Sequence, residues 1–361
     1  MSNPYFDRNY NPYSLDVMVS TGVVFIIVPI LSVALRFYAR SVSWAKLGID
    51  DWITIPSMVI CIALSIIQII AAKSGGLGSH QQLVNGQAAH TEQLYVYAKT
   101  KYAYQLIGTV GLAVIKLSVL LFYRRIFSVR AFRTVNNVLI GLTVAWGVAF
   151  TFAVAFQCVP VSTFWDKLEK DYGDSCVKVQ PFYLALAISD LLLDAAIFIV
   201  PIPHVQRLQM HWKQKIAVTG IFLLGSIVVA IGITRAIIFG WVLSFTQAEP
   251  LVYLSDITWY SAGTLFWHLV ENVVGLLGCC VPTYAPLFKG LLQKRKTVNA
   301  TDSSGLSSNK QTRPSAYRQN LDDEIPLAPG TGSGQASGHG SNNYPLEPLP
   351  VWDRRVDRCF N

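Results

Sequence analysis

Two carboxylates stand four residues apart in a run that is otherwise apolar, Ser189-Asp190-Leu191-Leu192-Leu193-Asp194-Ala195-Ala196-Ile197-Phe198-Ile199-Val200-Pro201-Ile202-Pro203. On a helix this spacing puts Asp190 and Asp194 on one face, a turn apart. A charge deep in a bilayer costs about 2.5–3.5 kcal/mol on insertion scales, so both side chains must turn away from lipid and find partners. Three chemistries suit such a pair. Protonated carboxylates in an apolar cavity can serve as general acids. Carboxylates can receive a ligand or a proton, or they can lock helices together through ion pairs.

Depth identifies the candidate partners. At about 1.5 Å per residue, counted from the outer surface, Asp190 lies at roughly 13 Å and Asp194 at roughly 20 Å. On the same count Lys116, His268 and Glu271 fall at about 16–21 Å. Lys116, Asp194 and Glu271 are therefore expected in one buried cluster, with His268 and Asp190 just above. Ionised groups in hydrocarbon need such pairing or else become neutral. The residues alone leave a ligand pocket, a proton-linked switch and a ligand-free network all open.

The elements that must position these residues are transmembrane helices. The chain has 361 residues, 52% of them hydrophobic and only 14% charged, against about 25% charged in a soluble domain. Seven apolar runs reach the roughly 20 residues that a bilayer requires. They are Val17–Tyr38, Trp52–Ala72, Tyr102–Tyr123, Asn137–Cys158, Pro181–Pro203, Lys215–Val242 and Ile257–Pro282. Lipid-facing segments of this length must be helical, which predicts an all-α polytopic fold.

The net charge of +8 does not indicate nucleic-acid binding, because the basic residues cluster between apolar runs. One side carries Arg36, Arg40, Lys46, Arg124, Arg125, Arg130, Arg133, Arg207, Lys213, Lys215, Lys289, Lys294, Arg295 and Lys296. The other carries half as many: Arg8, Lys73, Lys99, Lys101, Lys167, Lys170 and Lys178. The positive-inside rule makes the first side cytoplasmic, with the N-terminus outside and the C-terminus inside. Residues 1–16 are then a short extracellular N-terminus. They are polar with no basic n-region, so the first apolar run is expected to remain as a signal-anchor. Residues 17–290 form the membrane domain. Residues 291–361 form a cytoplasmic tail, rich in Ser, Gly, Pro and Asn from Thr297 onward and expected to be disordered.

The outer loops span Lys73–Lys101 and Val159–Gln180, the second acidic and flanked by Cys158 and Cys176. An oxidising outer compartment favours a Cys158–Cys176 disulfide; the alternative is two unrelated thiols, one buried in the fourth helix. At the cytoplasmic face, Asp50 and Asp51 open the second helix. They suit an N-cap with a second acid near the helix dipole, or ion pairs to Arg36, Arg124 or Arg125. Arg235 is placed a turn or two inside the outer surface, where it can snorkel or pair with Asp256.

With these residues identified, the chain resembles the fungal rhodopsin-domain family of seven-helix integral membrane proteins. That family includes a satratoxin-cluster membrane protein and receptor-like proteins of host-surface sensing. The resemblance rests on Gly48-Ile49-Asp50-Asp51-Trp52, Gly76-Leu77-Gly78-Ser79-His80 and Lys116-Leu117-Ser118 leading to Tyr123-Arg124-Arg125-Ile126-Phe127. It continues through Cys158-Val159-Pro160-Val161, Trp165, Cys176, Asp190/Asp194 to Pro203, Leu208-Gln209-Met210, Lys215, Arg235, Trp267, Glu271 and Pro282. It implies a seven-helix fold over about residues 17–290 and leaves the biochemistry undefined. A retinal protein needs a Schiff-base lysine in its last helix, and Ile257–Pro282 contains none; no cofactor is expected. Tyr123-Arg124-Arg125 and Pro282-Thr283-Tyr284 depart from the switch motifs of rhodopsin-like receptors, so that analogy rests on fold alone.

The leading functional expectation is a receptor-like protein of the plasma membrane, or alternatively of an internal membrane. Its outer loops and the Asp190, Asp194 and Glu271 interior are expected to receive an extracellular or lipid-soluble ligand, and its basic inner loops to signal to a cytosolic partner. The alternative is an accessory membrane protein of a fungal secondary-metabolite cluster, either a transporter or an intramembrane cyclase or isomerase using the buried carboxylates. A scaffold that holds partners through its tail is a third reading. No metal set, nucleotide loop or nucleophile triad supports an enzyme, and no inverted repeat marks a secondary transporter.

Overall fold

Hydrocarbon offers no partner to a backbone N–H or C=O, so a spanning segment must close its hydrogen bonds within itself. The described residues of this computed structural model follow that constraint. They are 12–42, 47–81, 83–84, 87–88, 91–126, 129–167, 173–203 and 212–284. Seven of their helices are long and apolar enough to cross a membrane. These are α1 (Leu15–Val42), α2 (Thr54–Lys73, preceded by a helical turn Ile49–Trp52), α3 (Glu92–Ile126), α4 (Arg130–Ala155), α5 (Val179–Ile199), α6 (Trp212–Ala248) and α7 (Ala262–Cys280). Among the described residues the only strands are a two-residue antiparallel pair, Leu83–Val84 with Gln87–Ala88.

Successive spans pack as neighbours from α1 to α4, and α5 pairs with α6. α7 touches α1, α2, α3 and α6, so it runs through the centre of the bundle. α3 and α7 are the most enclosed spans. The distribution of side chains is inverted relative to a soluble protein. Leu31, Val138, Phe152 and Leu223 are at least 60% exposed on the outside, as a surface solvated by lipid tails permits. Gln68, Thr109, Lys116, Asn136 and Asn272 are buried. Several of these polar groups tie helices together. Gln68 Nε2 donates to the Met18 carbonyl at 3.0 Å, and Asn136 Nδ2 donates to that of Leu120 at 3.0 Å.

One end of the bundle carries Arg36, Arg40 and Arg125; the other carries a Cys158–Cys176 disulfide. That bond resolves the two-thiol alternative, and Cys158 and Cys176 also pair as an isolated β-bridge. At the disulfide end, Gly78 has φ +83°, and a Cβ there would sit 2.4 Å from the Tyr13 carbonyl oxygen. Only glycine permits this approach, which seats the loop after α2 against the start of α1.

α3 begins at Glu92, ten residues before the Tyr102 expected from hydropathy. The added turns stay helical because they need not lie in hydrocarbon, and Lys99 covers the Tyr95 ring at 4.4 Å. The long outer loop expected over Lys73–Lys101 is therefore shorter. The described residues all belong to one compact unit, Met1–Lys289. The tail, residues 291–361, lies outside the described residues, as do Arg8, Lys46, Phe127, Glu169, Lys170, Asp171, Arg207, Leu208-Gln209-Met210 and Lys289. The side chains of Lys213 and Lys215 lie outside them as well.

Candidate functional site

Four helices deliver five charged side chains to one point inside the bundle. α5 supplies Asp190 and Asp194 from one face, as their spacing requires. α3 supplies Lys116, α6 supplies Arg235 and α7 supplies Glu271. All five are more than 90% buried. Lys116 Nζ donates to Asp194 Oδ1 and lies 3.3 Å from Asp190 Oδ1. Arg235 donates from Nη2 to Asp190 Oδ2 at 3.0 Å, and its Nη1 pairs with Glu271 Oε2. The chain of contacts runs Asp194–Lys116–Asp190–Arg235–Glu271 and stitches α3, α5, α6 and α7 together.

Arg235 is the correction to the sequence reading. It does not reach Asp256, nor does it snorkel, because it is buried against Asp190 and Glu271. α6 continues to Ala248, six residues past the expected Val242, which sinks Arg235 by about 9 Å. Asp256 is instead held at the disulfide end by His80 Nδ1 and by the Gln81 N–H at 2.9 Å. The His80 ring stacks on Trp259 with centroids 3.8 Å apart. Asp190, expected just above the cluster, joins it through Lys116, which it shares with Asp194, and through Arg235. His268 lies against Gly108 and the Tyr104 ring and joins none of the ion pairs.

The second charge cluster closes the basic end. Asp51 accepts from the Gly48 N–H at 3.0 Å, which caps the helical turn, and from Arg36 Nε at 2.9 Å. Asp50 accepts from Arg36 at 3.0 Å, Arg40 at 3.3 Å and Arg125 at 3.0 Å. Capping and ion pairing are thus both present, and Asp51 does both. Arg124 is exposed and pairs with neither aspartate. Arg40, which sequence reasoning counted only toward orientation, takes the place expected for it. Its signal was the i, i+4 spacing from Arg36, which points both guanidinium groups the same way. Arg36 also donates to the Cys279 carbonyl, so this cluster joins α1, α3 and α7.

From the central network a partly open cavity of about 80 Å³ runs toward the basic end. Lys116, Asp194 and Glu271 line its inner end. Its walls are apolar, among them Val119, Phe198 and Val228, and Gly278 lies near the far end. The carboxylate oxygens of Asp190, Asp194 and Glu271 fall within 4.8 Å of one another. A divalent cation would nonetheless meet Lys116 and Arg235 among them, so the set is a charge network rather than a metal centre.

Residues 35–290 match the fungal rhodopsin domain. The chain belongs to that family. Among its relatives, the polyenoic acids biosynthesis gene cluster protein Ba17b of Metarhizium anisopliae is 30% identical, over 78% of this chain and 75% of its own length. An SAT4 family membrane protein of Emericella nidulans is 29% identical over 67% of this chain and 58% of its own. Receptor GIN3 of Arthrobotrys oligospora is 23% identical over 60% of this chain and 51% of its own. Further relatives at 23–25% identity are named for other biosynthesis clusters. No solved structure matches the chain. The protein is thus a multi-pass integral membrane member of the fungal rhodopsin-domain family.

Charge balance dictates how the central network responds to mutation. Two cations face three carboxylates, so removing Lys116 leaves Arg235 alone against all three. Lys116→Met should lower stability by about 3–5 kcal/mol, the range for an uncompensated buried charge. Asp194→Asn leaves Lys116 on Asp190 and should cost less. Adding it to Lys116→Met restores the original excess of one carboxylate and should recover part of the loss. Thermal denaturation of the three variants in detergent measures this; equal destabilisation by both single changes would exclude the balance described.

Proposed function

We propose that this protein is an accessory membrane protein of fungal secondary metabolism that binds a lipid-soluble intermediate or product between α3, α5, α6 and α7. The observation that supports this most is the apolar cavity ending on buried polar groups, since ligand sites combine apolar walls with a few placed polar atoms. The relatives named for biosynthesis clusters favour this reading over the receptor-like one. Residues 17–290 are the membrane domain, with the N-terminus outside and the tail, 291–361, in the cytosol. Orientation rests on the distribution of Lys and Arg. The basic end, toward which the cavity runs, then faces the cytosol, where cytosolic enzymes can deliver or collect the ligand.

The relative named Receptor GIN3 supports a second reading in which the same cavity receives a signal and the basic face engages a cytosolic partner. The two separate on what the protein changes. An accessory protein alters the metabolites made; a receptor alters the response to an external stimulus while leaving the cell's own products as they are.

Two measurements test the proposal. A reporter fused after Asn361 should be cytosolic, and Asn299, within an Asn-Ala-Thr sequon, should stay unglycosylated; glycosylation there would reverse the orientation. A Cβ at Gly278 meets no atom within 4 Å, so Gly278→Leu should fill the cavity without unfolding the helix. In the source fungus, gene disruption should change the metabolite profile by mass spectrometry. Wild type should restore it, and Gly278→Leu at equal membrane abundance should not. An unchanged profile on disruption would remove the proposal.

A further inference from the structure

The polar end of the cavity is asymmetric in what it offers a ligand. Among the described residues Lys116 is the one cation in the lining, and it is already held by Asp194 and Asp190. Arg235 does not line the cavity: it is paired with Asp190 and Glu271, and its Nε and Nη1, which make no hydrogen bond among the described residues, offer nothing to the lining. The acceptors are less fully used. Asp194 Oδ2 and Glu271 Oε1 are buried and accept no hydrogen bond among the described residues. Both belong to side chains that line the cavity. A buried acceptor without a partner costs about 1–3 kcal/mol, more when charged. A ligand donor placed there would remove that cost.

A ligand carboxylate would bring a further acceptor to an end already crowded with carboxylates, whereas a hydrogen-bond-donating group would meet an open one. Tyr123, near the opposite end, carries the only other polar side chain among the described residues of the lining. From Glu271 to Gly278 the cavity follows α7 for about 10 Å, along walls that offer only apolar contact.

We infer that the cavity selects a ligand with an apolar chain and a hydrogen-bond-donating head, a hydroxyl or a protonated amine, and discriminates against a carboxylate. The head group meets Asp194 and Glu271, and the chain lies along α3, α5, α6 and α7 toward Gly278. This rests on the cavity being the ligand site proposed above and adds the head-group chemistry. Sites whose buried polar groups need a partner reject a ligand that cannot supply it far more strongly than a site of apolar contacts does.

The test uses the full-length protein in phosphatidylcholine nanodiscs at about pH 8, where carboxylic acids are ionised and alkyl amines protonated. Binding of radiolabelled 1-decanol, decylamine and decanoate is measured, with protein-free nanodiscs subtracted for partitioning. The alcohol and the amine should bind saturably, decanoate at least about tenfold more weakly, a difference of about 1.4 kcal/mol. Gly278→Leu should abolish the saturable component. Glu271→Gln should narrow the gap between amine and decanoate; the unmutated protein carries the comparison where that variant does not fold. Decanoate binding as tightly as decanol, and lost in Gly278→Leu, would overturn the head-group inference and leave the cavity as the ligand site. Absence of any binding sensitive to Gly278→Leu would overturn both.

Discussion

A charge inside hydrocarbon must be matched, and the interior of this bundle is arranged around that requirement. Five ionisable side chains from α3, α5, α6 and α7 meet in one buried chain of contacts. Leaving any one without its partner puts an uncompensated charge in a low-dielectric interior, a cost of several kcal/mol. The four helices are therefore constrained in rotation about their axes as well as in depth. The Asp50/Asp51 cluster imposes the same constraint on α1, the start of α2, α3 and the end of α7. α3 and α7 belong to both networks, which fits their position as the most enclosed spans.

Much of this was legible from residue types. Seven apolar runs gave seven helices because length and composition alone decide whether a segment can span a bilayer. The i, i+4 pair Asp190/Asp194 and the similar depth of Lys116 and Glu271 predicted the central cluster, since intramembrane charges have few places to go. Arg235 was misplaced because its depth was measured from a helix end that hydropathy put six residues too early. Polar residues after Val242 remain helical beyond the hydrocarbon, and hydropathy does not register them. Similarly, Glu92 to Lys101 extends α3 with residues that no apolar count includes. The His80–Asp256 contact joins two loops 176 residues apart in sequence, and nothing local announces such a pairing.

The cavity was the least legible feature. Its walls are ordinary apolar side chains, and its volume depends on how α5 and α6 lean on α3 and α7. The sequence assigned the ligand to the outer loops and to the Asp190, Asp194 and Glu271 interior, without locating any space there. The structure opens space beside Asp194 and Glu271, toward Tyr123 and Gly278. Glycines contribute to that space: Gly225 lies under the Phe198 ring, Gly275 against Ile115, and Gly278 against nothing. In the same volume, acceptors of Asp194 and Glu271 remain without hydrogen bonds. A network that only locked helices would gain by satisfying them, so the unused acceptors set this site apart from the fully engaged aspartates at the basic end.

The central claim is that a lipid-soluble ligand occupies this cavity with its head at the buried carboxylates. Photolabelling tests it most directly. An alkyl alcohol bearing a diazirine near its chain end, irradiated with the full-length protein in nanodiscs and mapped by mass spectrometry, should attach within the cavity half of α6 and α7, near Val228 and Gly278. Excess unlabelled decanol should compete, and Gly278→Leu should remove the adducts. Labelling confined to the lipid-facing residues Leu31, Val138 or Leu223, without competition, would contradict the claim.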